Sequence, residues 1–266
     1  MIDIHCHILP KVDDGSKSMK ESIEMAKIAQ DEGIKTIVAT PHYHPSFNIK
    51  KGKELEIELE NLKKELEKEN IDIEILLGNE LYYTREEFFE ILDKKEFYTI
   101  NNSRYLLVEF NDLEFNENIK NIIYEIKLRG YIPILAHVER YSYVRENPKC
   151  IKEFIDEGAI IQINASSITD TTRKNTNRTC KKLLEMNLVH VISTDAHGVL
   201  KRDPRARKAY TIVKNKYTKR RANELFRYNP TSIILNEDIQ IRENNKKFNI
   251  KKIFNKILKN KGDTNG

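Results

Sequence analysis

Two histidines separated by one residue, His5 and His7, end an alternating apolar run that begins at Met1. Side chains of an extended chain point to opposite sides in turn, so both imidazoles project together while Cys6 projects the other way, and two imidazoles can then share a cation. The same residue types recur wherever a later apolar run ends. His42 follows Pro41, Glu80 follows Gly78 and Asn79, Glu109 and His137 close two more runs, Asp195 and His197 follow another, and Asp14 lies in the first connection. Singly, a His or Glu at a strand end has an ordinary role as a cap or a hydrogen-bonded rim residue. Nine such groups on one rim are a different matter, because clustered carboxylates repel and shift each other's pKa unless cations lie between them. Nitrogen and oxygen donors without thiolate suit Mn2+, Fe2+ or Zn2+. Nine candidate ligands exceed the needs of one ion, so two or three divalent ions are expected.

The runs that carry these residues read as strands. They are Met1–His5, Ile34–Thr40, Ile71–Gly78, Arg104–Phe110, Tyr131–Ala136, Ala159–Ala165 and Val189–Thr194, seven in all. Between them lie helical patterns, such as Met19, Ile23, Ala26 and Ala29 stopped by Gly33, and the charged stretches Lys53–Glu69 and Asn118–Arg129. Strand and helix in alternation make a parallel sheet, and no run looks like an exposed edge, so an α/β barrel is favoured over an open doubly wound sheet. The carboxyl ends of barrel strands form the active-site rim. A length of 266 residues is close to the ~250 of one such barrel. No repeat, low-complexity stretch or Gly/Ser spacer divides the chain before about Asn236. One catalytic domain over 1–236 and a short tail over 237–266 follow.

Charge and cysteine usage narrow the function. The formal net charge is +5 and the sequence pI about 8.8. Eight basic against four acidic residues after Asn236 place +4 of it in the tail and leave +1 on the body, so no nucleic-acid groove is indicated. No run approaches the ~18 apolar residues of a membrane span, and the first residues lack the features of a secretory signal, so a cytoplasmic protein is expected. Three cysteines without a C-x-x-C pair imply reduced thiols. Nor does any of them form the pair of a nucleophilic Cys with an Arg six positions later, since Cys6, Cys150 and Cys180 are followed there by Val12, Asp156 and Met186. Cys6 is expected to be buried and inert, His44 solvated and His190 structural, while Tyr82 and Tyr83, close to Glu80, fit either the border of the mouth or surface packing. In the tail, Ile250, Ile253, Phe254, Ile257 and Leu258 recur at helical spacing among Lys251, Lys252, Lys256 and Lys259. Such a basic amphipathic helix fits docking on the barrel and also peripheral contact with anionic lipid.

The sequence resembles the PHP (polymerase and histidinol phosphatase) superfamily, through Asp3-Ile4-His5-Cys6-His7, Pro41-His42, Gly78-Asn79-Glu80, Glu109, Ala136-His137 and Thr194-Asp195-Ala196-His197. More narrowly it resembles the CpsB/CapC-type tyrosine-protein phosphatases of bacterial capsular and exopolysaccharide gene clusters. That likeness rests on His5-Cys6-His7-Ile8-Leu9-Pro10 with Asp13-Asp14-Gly15, Ala39-Thr40-Pro41-His42, and Ala136-His137-Val138-Glu139-Arg140-Tyr141. The resemblance implies a distorted TIM-like barrel of seven strands and helices, with three metals, usually manganese, at the carboxyl ends of the strands. It implies one ion among His5, His7, Glu80 and Asp195, a second among Glu80, Glu109 and His137, and a third among Asp14, His42 and His197. Arg140 and Arg202 would grip phosphate, with Arg205 an alternative to Arg202, since a guanidinium fork binds two phosphate oxygens at once.

The activity so implied is hydrolysis of phosphotyrosine on a protein, in particular a membrane-associated bacterial tyrosine autokinase that controls polysaccharide synthesis and export. Paired cations acidify water for in-line attack without a covalent phosphoenzyme, and a phenolic leaving group of pKa ~10 needs little proton assistance. Two other functions compete. One is a small-molecule phosphatase, such as one for histidinol phosphate, using the same cluster; the other is a catalytically silent module that only binds a partner.

Overall fold

Burial of two apolar layers, one inside a ring of strands and one between that ring and its helices, organises the chain. The structure, a computed structural model, describes residues 1–43, 50–85, 87–112, 115–116 and 118–239. Its strands are β1 (Ile2–Cys6), β2 (Thr36–Ala39), β3 (His42–Tyr43), β4 (Glu74–Leu77), β5 (Glu80–Tyr82), β6 (Tyr105–Glu109), β7 (Ile132–Leu135), β8 (Ile160–Asn164) and β9 (Val191–Ser193). All pair in parallel, in the orders β1-β2-β4 and β3-β5-β6-β7-β8-β9.

Two of the seven expected strands, Ile34–Thr40 and Ile71–Gly78, are each followed past their expected end by a second short strand that the sequence reading did not include. Pro41 has no N–H to continue the ladder and separates β2 from β3, while Gly78-Asn79 separates β4 from β5. Single bonds carry the ladder over the steps: Thr40 N–H donates to Cys6 O (2.9 Å), Gly78 N–H to Ala39 O (2.8 Å) and Glu80 N–H to Pro41 O (3.1 Å). The ring closes where Asp195 N–H donates to His5 O and His7 N–H to Ala196 O, both at 2.8 Å. Buried Asp3 ties the same seam, accepting from Thr194 N–H at 3.0 Å and from the Thr194 hydroxyl. Counted along these bonds, the architecture is the expected seven-stranded barrel, distorted at its second and third strands.

Inside, Ile4, Val38, Tyr105, Leu107, Ile134, Ala136 and Val191 form a floor, sealed from below by Ile233 and Ile234. β1 carries a bulge: Asp3 aligns with Ile37 but Cys6 with Ala39, so three steps of one strand match two of the other. Bulges re-aim side chains. Here Ile4 stays in the apolar floor and His5 and His7 still enter the interior above it, while Cys6 joins the outer layer. That layer receives Met25, Ala26 and Ala29 of α1 (Met19–Asp31), Leu55, Leu59, Leu62 and Leu66 of α2 (Lys53–Lys68), Phe88, Ile91 and Leu92 of α3 (Phe88–Lys94), and Ile119, Ile122, Ile123 and Ile126 of α4 (Ile119–Leu128). These are the helical stripes of the sequence. Ser18 caps α1 by accepting from Glu21 N–H at 3.2 Å, and Gly33, at φ +84°, lets the chain leave it.

The three thiols are buried, and burial raises their pKa. His44 and the apolar stripe Ile250–Leu258 lie outside the described residues. His190 has the structural role expected of it, since its Nδ1 accepts from Ile161 N–H at 3.0 Å. Burial, then the charge of Arg221, lowers its pKa to about 4. An unfolded histidine titrates near ~6.5, so between these values the unfolded chain takes up a proton that the fold refuses, and stability falls as pH falls. Urea unfolding should show wild type losing about 2 kcal/mol more than His190→Asn between pH 7 and pH 5. Equal losses would contradict this.

Candidate active site

Each segment that leaves the barrel at the carboxyl end of a strand delivers one or two polar side chains to the mouth. β1 supplies His5 and the residue just past it His7, the next loop Asp14, β3 His42, β5 Glu80, β6 Glu109, and the turns after β7 and β9 His137, Asp195 and His197. His137 (φ 33°) and Asp195 (φ 53°) adopt the left-handed conformation, uncommon for residues other than glycine. Both stand where the chain must turn sharply off a strand to face inward.

The nine residues expected from the sequence meet there. Ligand-type atoms of His5, His7, Glu80 and Asp195 all lie within 4.8 Å of one another, as do those of His7, Asp14, His42 and His197, and those of His42, Glu80 and Glu109. Glu80 is the hub. Its Oε2 is 3.1 Å from His5 Nε2, 3.2 Å from His7 Nε2 and 3.2 Å from His42 Nδ1, and its Oε1 is 3.3 Å from His137 Nε2. His137 Nε2 also lies 3.2 Å from Glu109 Oε1, and Asp14 Oδ1 is 3.4 Å from both His42 Nε2 and His197 Nε2. The sets implied by resemblance differ from these groups in detail: His7 stands beside the Asp14 set as well, and His42 reaches the Glu80 and Glu109 pair.

Electrostatics make the cluster hungry for positive charge. Burial opposes a charged His137, yet Glu109 and Glu80 raise its pKa to about 10. His7 and His42 are likewise raised against their burial, by Asp13 and Glu80 for the first and by Glu80 and Asp14 for the second. Glu80 and Asp195 are driven down despite complete burial, in each case with His5 the largest favourable neighbour. Burial and the adjacent His7 lower His197. Several buried atoms of the cluster, Glu80 Oε1, His42 Nδ1 and His197 Nε2, have imidazole–carboxylate neighbours at 3.2–3.4 Å but no hydrogen bond of good geometry. Orphaned lone pairs among buried imidazoles and carboxylates, with no sulfur donor, fit divalent cations of the Mn2+, Fe2+ and Zn2+ kind.

The arginines flank one carboxylate. Arg140 Nη1 lies 3.0 Å from Asp195 Oδ2, and Arg202 Nη2 donates to Asp195 Oδ1 at 2.6 Å. Arg205 turns away to pair with Asp203. Tyr83 packs between Phe88 and Phe110, with ring centroids 5.2 and 5.0 Å away, and belongs to the core; Tyr82 is half-buried.

Several residues of the site were missed by reasoning from sequence. Asp13 holds His7 Nδ1 at 2.6 Å, accepts from His42 N–H at 2.9 Å and from Gly15 N–H at 2.9 Å, and its pKa falls to about 2 because His7 outweighs its burial. Glu139 accepts from Asn164 N–H at 3.0 Å and so anchors the turn that carries Arg140. Gln162 and Asn164 reach the site from β8, which supplies none of the nine. Their signal was present: two amides spaced by two, alternating with isoleucines, face the same side as the histidines.

With this geometry in view, comparison with known proteins is decisive. The family described as "Capsular polysaccharide synthesis, CpsB/CapC" matches residues 1–235. The chain belongs to this family. It is 35% identical to the tyrosine-protein phosphatase YwqE of Bacillus subtilis (strain 168) over 82% of this chain and 85% of that one. To the tyrosine-protein phosphatase CpsB of Streptococcus pneumoniae it is 36% identical, over 89% of this chain and 99% of that one. A crystal structure from work on YwqE of Bacillus subtilis and CpsB of Streptococcus pneumoniae, described as unique metal-dependent tyrosine phosphatases, superposes with a TM-score of 0.85. It does so at 32% identity over 93% of this chain and all of that one. The CpsB/CapC barrel thus comes with the sequence signature that marked the mouth.

Gly15 permits the loop of this family motif to fold back on β1, where Ser16 N–H donates to His7 O at 3.1 Å. A Cβ at Gly15 would lie 2.3 Å from His7 O, 2.5 Å from His7 Cβ and 2.9 Å from Asp13 Oδ1. Gly15→Ala must displace the His7 and Asp13 pair, at about 1–3 kcal/mol. Manganese binding measured by calorimetry should weaken at least tenfold and the melting temperature should fall; unchanged values of both would refute this account of the loop.

Proposed function

We propose that the chain is a metal-dependent protein-tyrosine phosphatase, a phosphoric monoester hydrolase in which His5, His7, Asp14, His42, Glu80, Glu109, His137, Asp195 and His197 hold two or three divalent ions, with manganese the favoured metal. The observation that carries it is the approach of Arg140 and Arg202 to one carboxylate, at 3.0 and 2.6 Å, on the edge of the ligand cluster. A phosphoryl dianion seated there has guanidinium donors on one side and the ligand cluster on the other. When bound, divalent ions supply the Lewis acidity that makes water nucleophilic near neutral pH and offsets charge on phosphoryl oxygens.

The protein's own groups do the rest. Arg140 and Arg202 hold non-bridging oxygens in fixed forks and neutralise charge that grows in the transition state. Buried Asp195 keeps both guanidiniums oriented while the site is free of substrate. No thiol takes part: Cys6 is fully buried and its pKa is raised well above the ordinary value by that burial. A phenolate leaves with little help from a proton donor, which favours aryl over alkyl phosphates. The names of the relatives point the same way, toward phosphotyrosine on protein.

The fuller biological reading assigns residues 1–236 to the catalytic barrel and 237–266 to a basic tail, and takes as partner a membrane-associated tyrosine autokinase of capsule synthesis and export. The protein would act in the cytoplasm, at the inner membrane face. Among the described residues no helix is long and apolar enough to cross a membrane, so any lipid contact would be peripheral, through the tail.

Two measurements test these assignments. A phosphotyrosine peptide should be hydrolysed in Mn2+, activity should vanish on chelation, Arg140→Ala and Arg202→Ala should each lower kcat/KM by about 100-fold or more, and Cys6→Ser should retain activity. Preference for histidinol phosphate over the peptide would reject the substrate class. Sedimentation with anionic vesicles should be stronger for the full chain than for one ending at Asn236, at about 1 kcal/mol per basic side chain near the surface; equal pelleting would rule out the tail contact.

A further inference from the structure

The strand that contributes none of the nine ligand-type residues is nevertheless threaded into the cluster. Gln162 and Asn164 of β8 are both fully buried, so their amide groups have no water to satisfy an alternative orientation. Each therefore has to find protein partners for its carbonyl and its NH2. One contact decides the whole arrangement. His137 N–H, which can only donate, lies 2.8 Å from Gln162 Oε1. That atom is therefore the amide carbonyl, and it is also the atom 3.2 Å from His5 Nδ1. A carbonyl oxygen cannot donate, so the proton of a neutral His5 sits on Nδ1, and its Nε2 is a bare lone pair. Nε2 is the atom that faces the cluster, 3.1 Å from Glu80 Oε2 and 3.3 Å from Asp195 Oδ1.

The consequence runs along the strand. With its carbonyl committed, Gln162 directs its NH2 the other way and donates to Asn164 Oδ1 at 2.8 Å. That in turn commits the Asn164 NH2 to Asp195 Oδ2, at 2.7 Å. Turning over either amide would face carbonyl against carboxylate or NH2 against N–H, so the chain of donors has one sense only. His5 and the His137 backbone give to Gln162, Gln162 gives to Asn164, and Asn164 gives to Asp195.

We infer that Gln162 and Asn164 are positioning residues of the metal centre: the first fixes which nitrogen of His5 is free to bind a cation, and the second fixes the carboxylate plane of Asp195. The inference rests on the reading of the cluster as a metal centre and adds residues that the ligand set does not contain. His7 receives the equivalent service from a carboxylate, Asp13, 2.6 Å from its Nδ1. An amide serves His5 instead because Glu80 and Asp195 already lie against that ring, and a further buried anion would compete with them for the same protons and cations. A neutral acceptor sets the tautomer without adding charge.

The experiment uses the full chain and Mn2+ as the probe. Nitrogen chemical shifts of 15N-labelled histidine in wild type loaded with diamagnetic Zn2+, where the ring is neutral, should place the His5 proton on Nδ1. Gln162→Leu should lose that preference and weaken Mn2+ binding, read from the free-ion electron paramagnetic resonance signal, by ten- to a hundredfold. Asn164→Leu should weaken Mn2+ binding while leaving the His5 proton on Nδ1, an asymmetry that a general loosening of the fold would not produce. Circular dichroism of the metal-free variants reports whether each is folded, and the wild-type shifts stand without any variant. A wild type that takes up no Mn2+ would remove the metal-centre reading and this inference with it. Wild type that binds Mn2+ but carries the His5 proton on Nε2, or a Gln162→Leu chain that binds Mn2+ as tightly as wild type, overturns the inference alone.

Discussion

The fold is governed by one costly requirement, that carboxylates and imidazoles of many strands share a buried mouth. Unit charges about 4 Å apart interact by roughly 4 kcal/mol at an effective dielectric constant of 20, while a domain is stable by only about 5–15 kcal/mol. Glu80 alone lies within 3.3 Å of four imidazoles. Such a site is tenable only if its charges are matched in sign and held in place, and each layer beneath it serves that matching. Imidazoles alternate with carboxylates, the two arginines cover Asp195, and the orphaned buried lone pairs mark where further positive charge is accommodated.

Rigidity below the mouth makes the arrangement durable. The apolar floor from Ile4 to Val191 excludes water from the barrel, so polar groups above it must find partners in the protein. Asp3, Asp13, Glu139, Gln162 and Asn164 meet that need, each with contacts to backbone N–H groups or to a residue of the cluster. Strain is tolerated in the same place. His137 and Asp195 keep left-handed backbones because the seam and the β8 amides hold the segments on either side. Stability is exchanged for a preorganised site, which is where catalytic electrostatics has its largest effect.

The phosphatase chemistry follows from the same preorganisation. A family that employs a metal centre leaves its cysteines free to be ordinary core residues, and here all three are buried. Arg140 reaches the mouth on a turn anchored to β8 by Glu139, and Arg202 on a loop whose ends are joined by bonds from His197 N–H (2.8 Å) and Gly198 N–H (3.2 Å) to Arg202 O. Each of the two arginines is thus tied to the strand end that also carries a cluster residue. Arginines and cluster are positioned by the same backbone.

Sequence by itself determined the elements and the cast. The alternation of Met1–His5, the stripes Leu55, Leu59, Leu62 and Leu66, and the stop at Gly33 are local patterns, and local backbone geometry suffices to read them. His5, His7, His42, Glu80, Glu109, His137, Asp195 and His197 were legible because each falls at or just past the end of an apolar run, and the parallel barrel gathers those ends on one rim. Tertiary structure alone decided the breaks at Pro41 and Gly78-Asn79, the bulge in β1, the sharing of Glu80 among four rings and the choice of Arg202 over Arg205 at the mouth. It also recruited Asp13, Gln162 and Asn164. These depend on which atoms far apart in the chain come within hydrogen-bond distance, and a periodic pattern carries no information about direction or distance across the barrel.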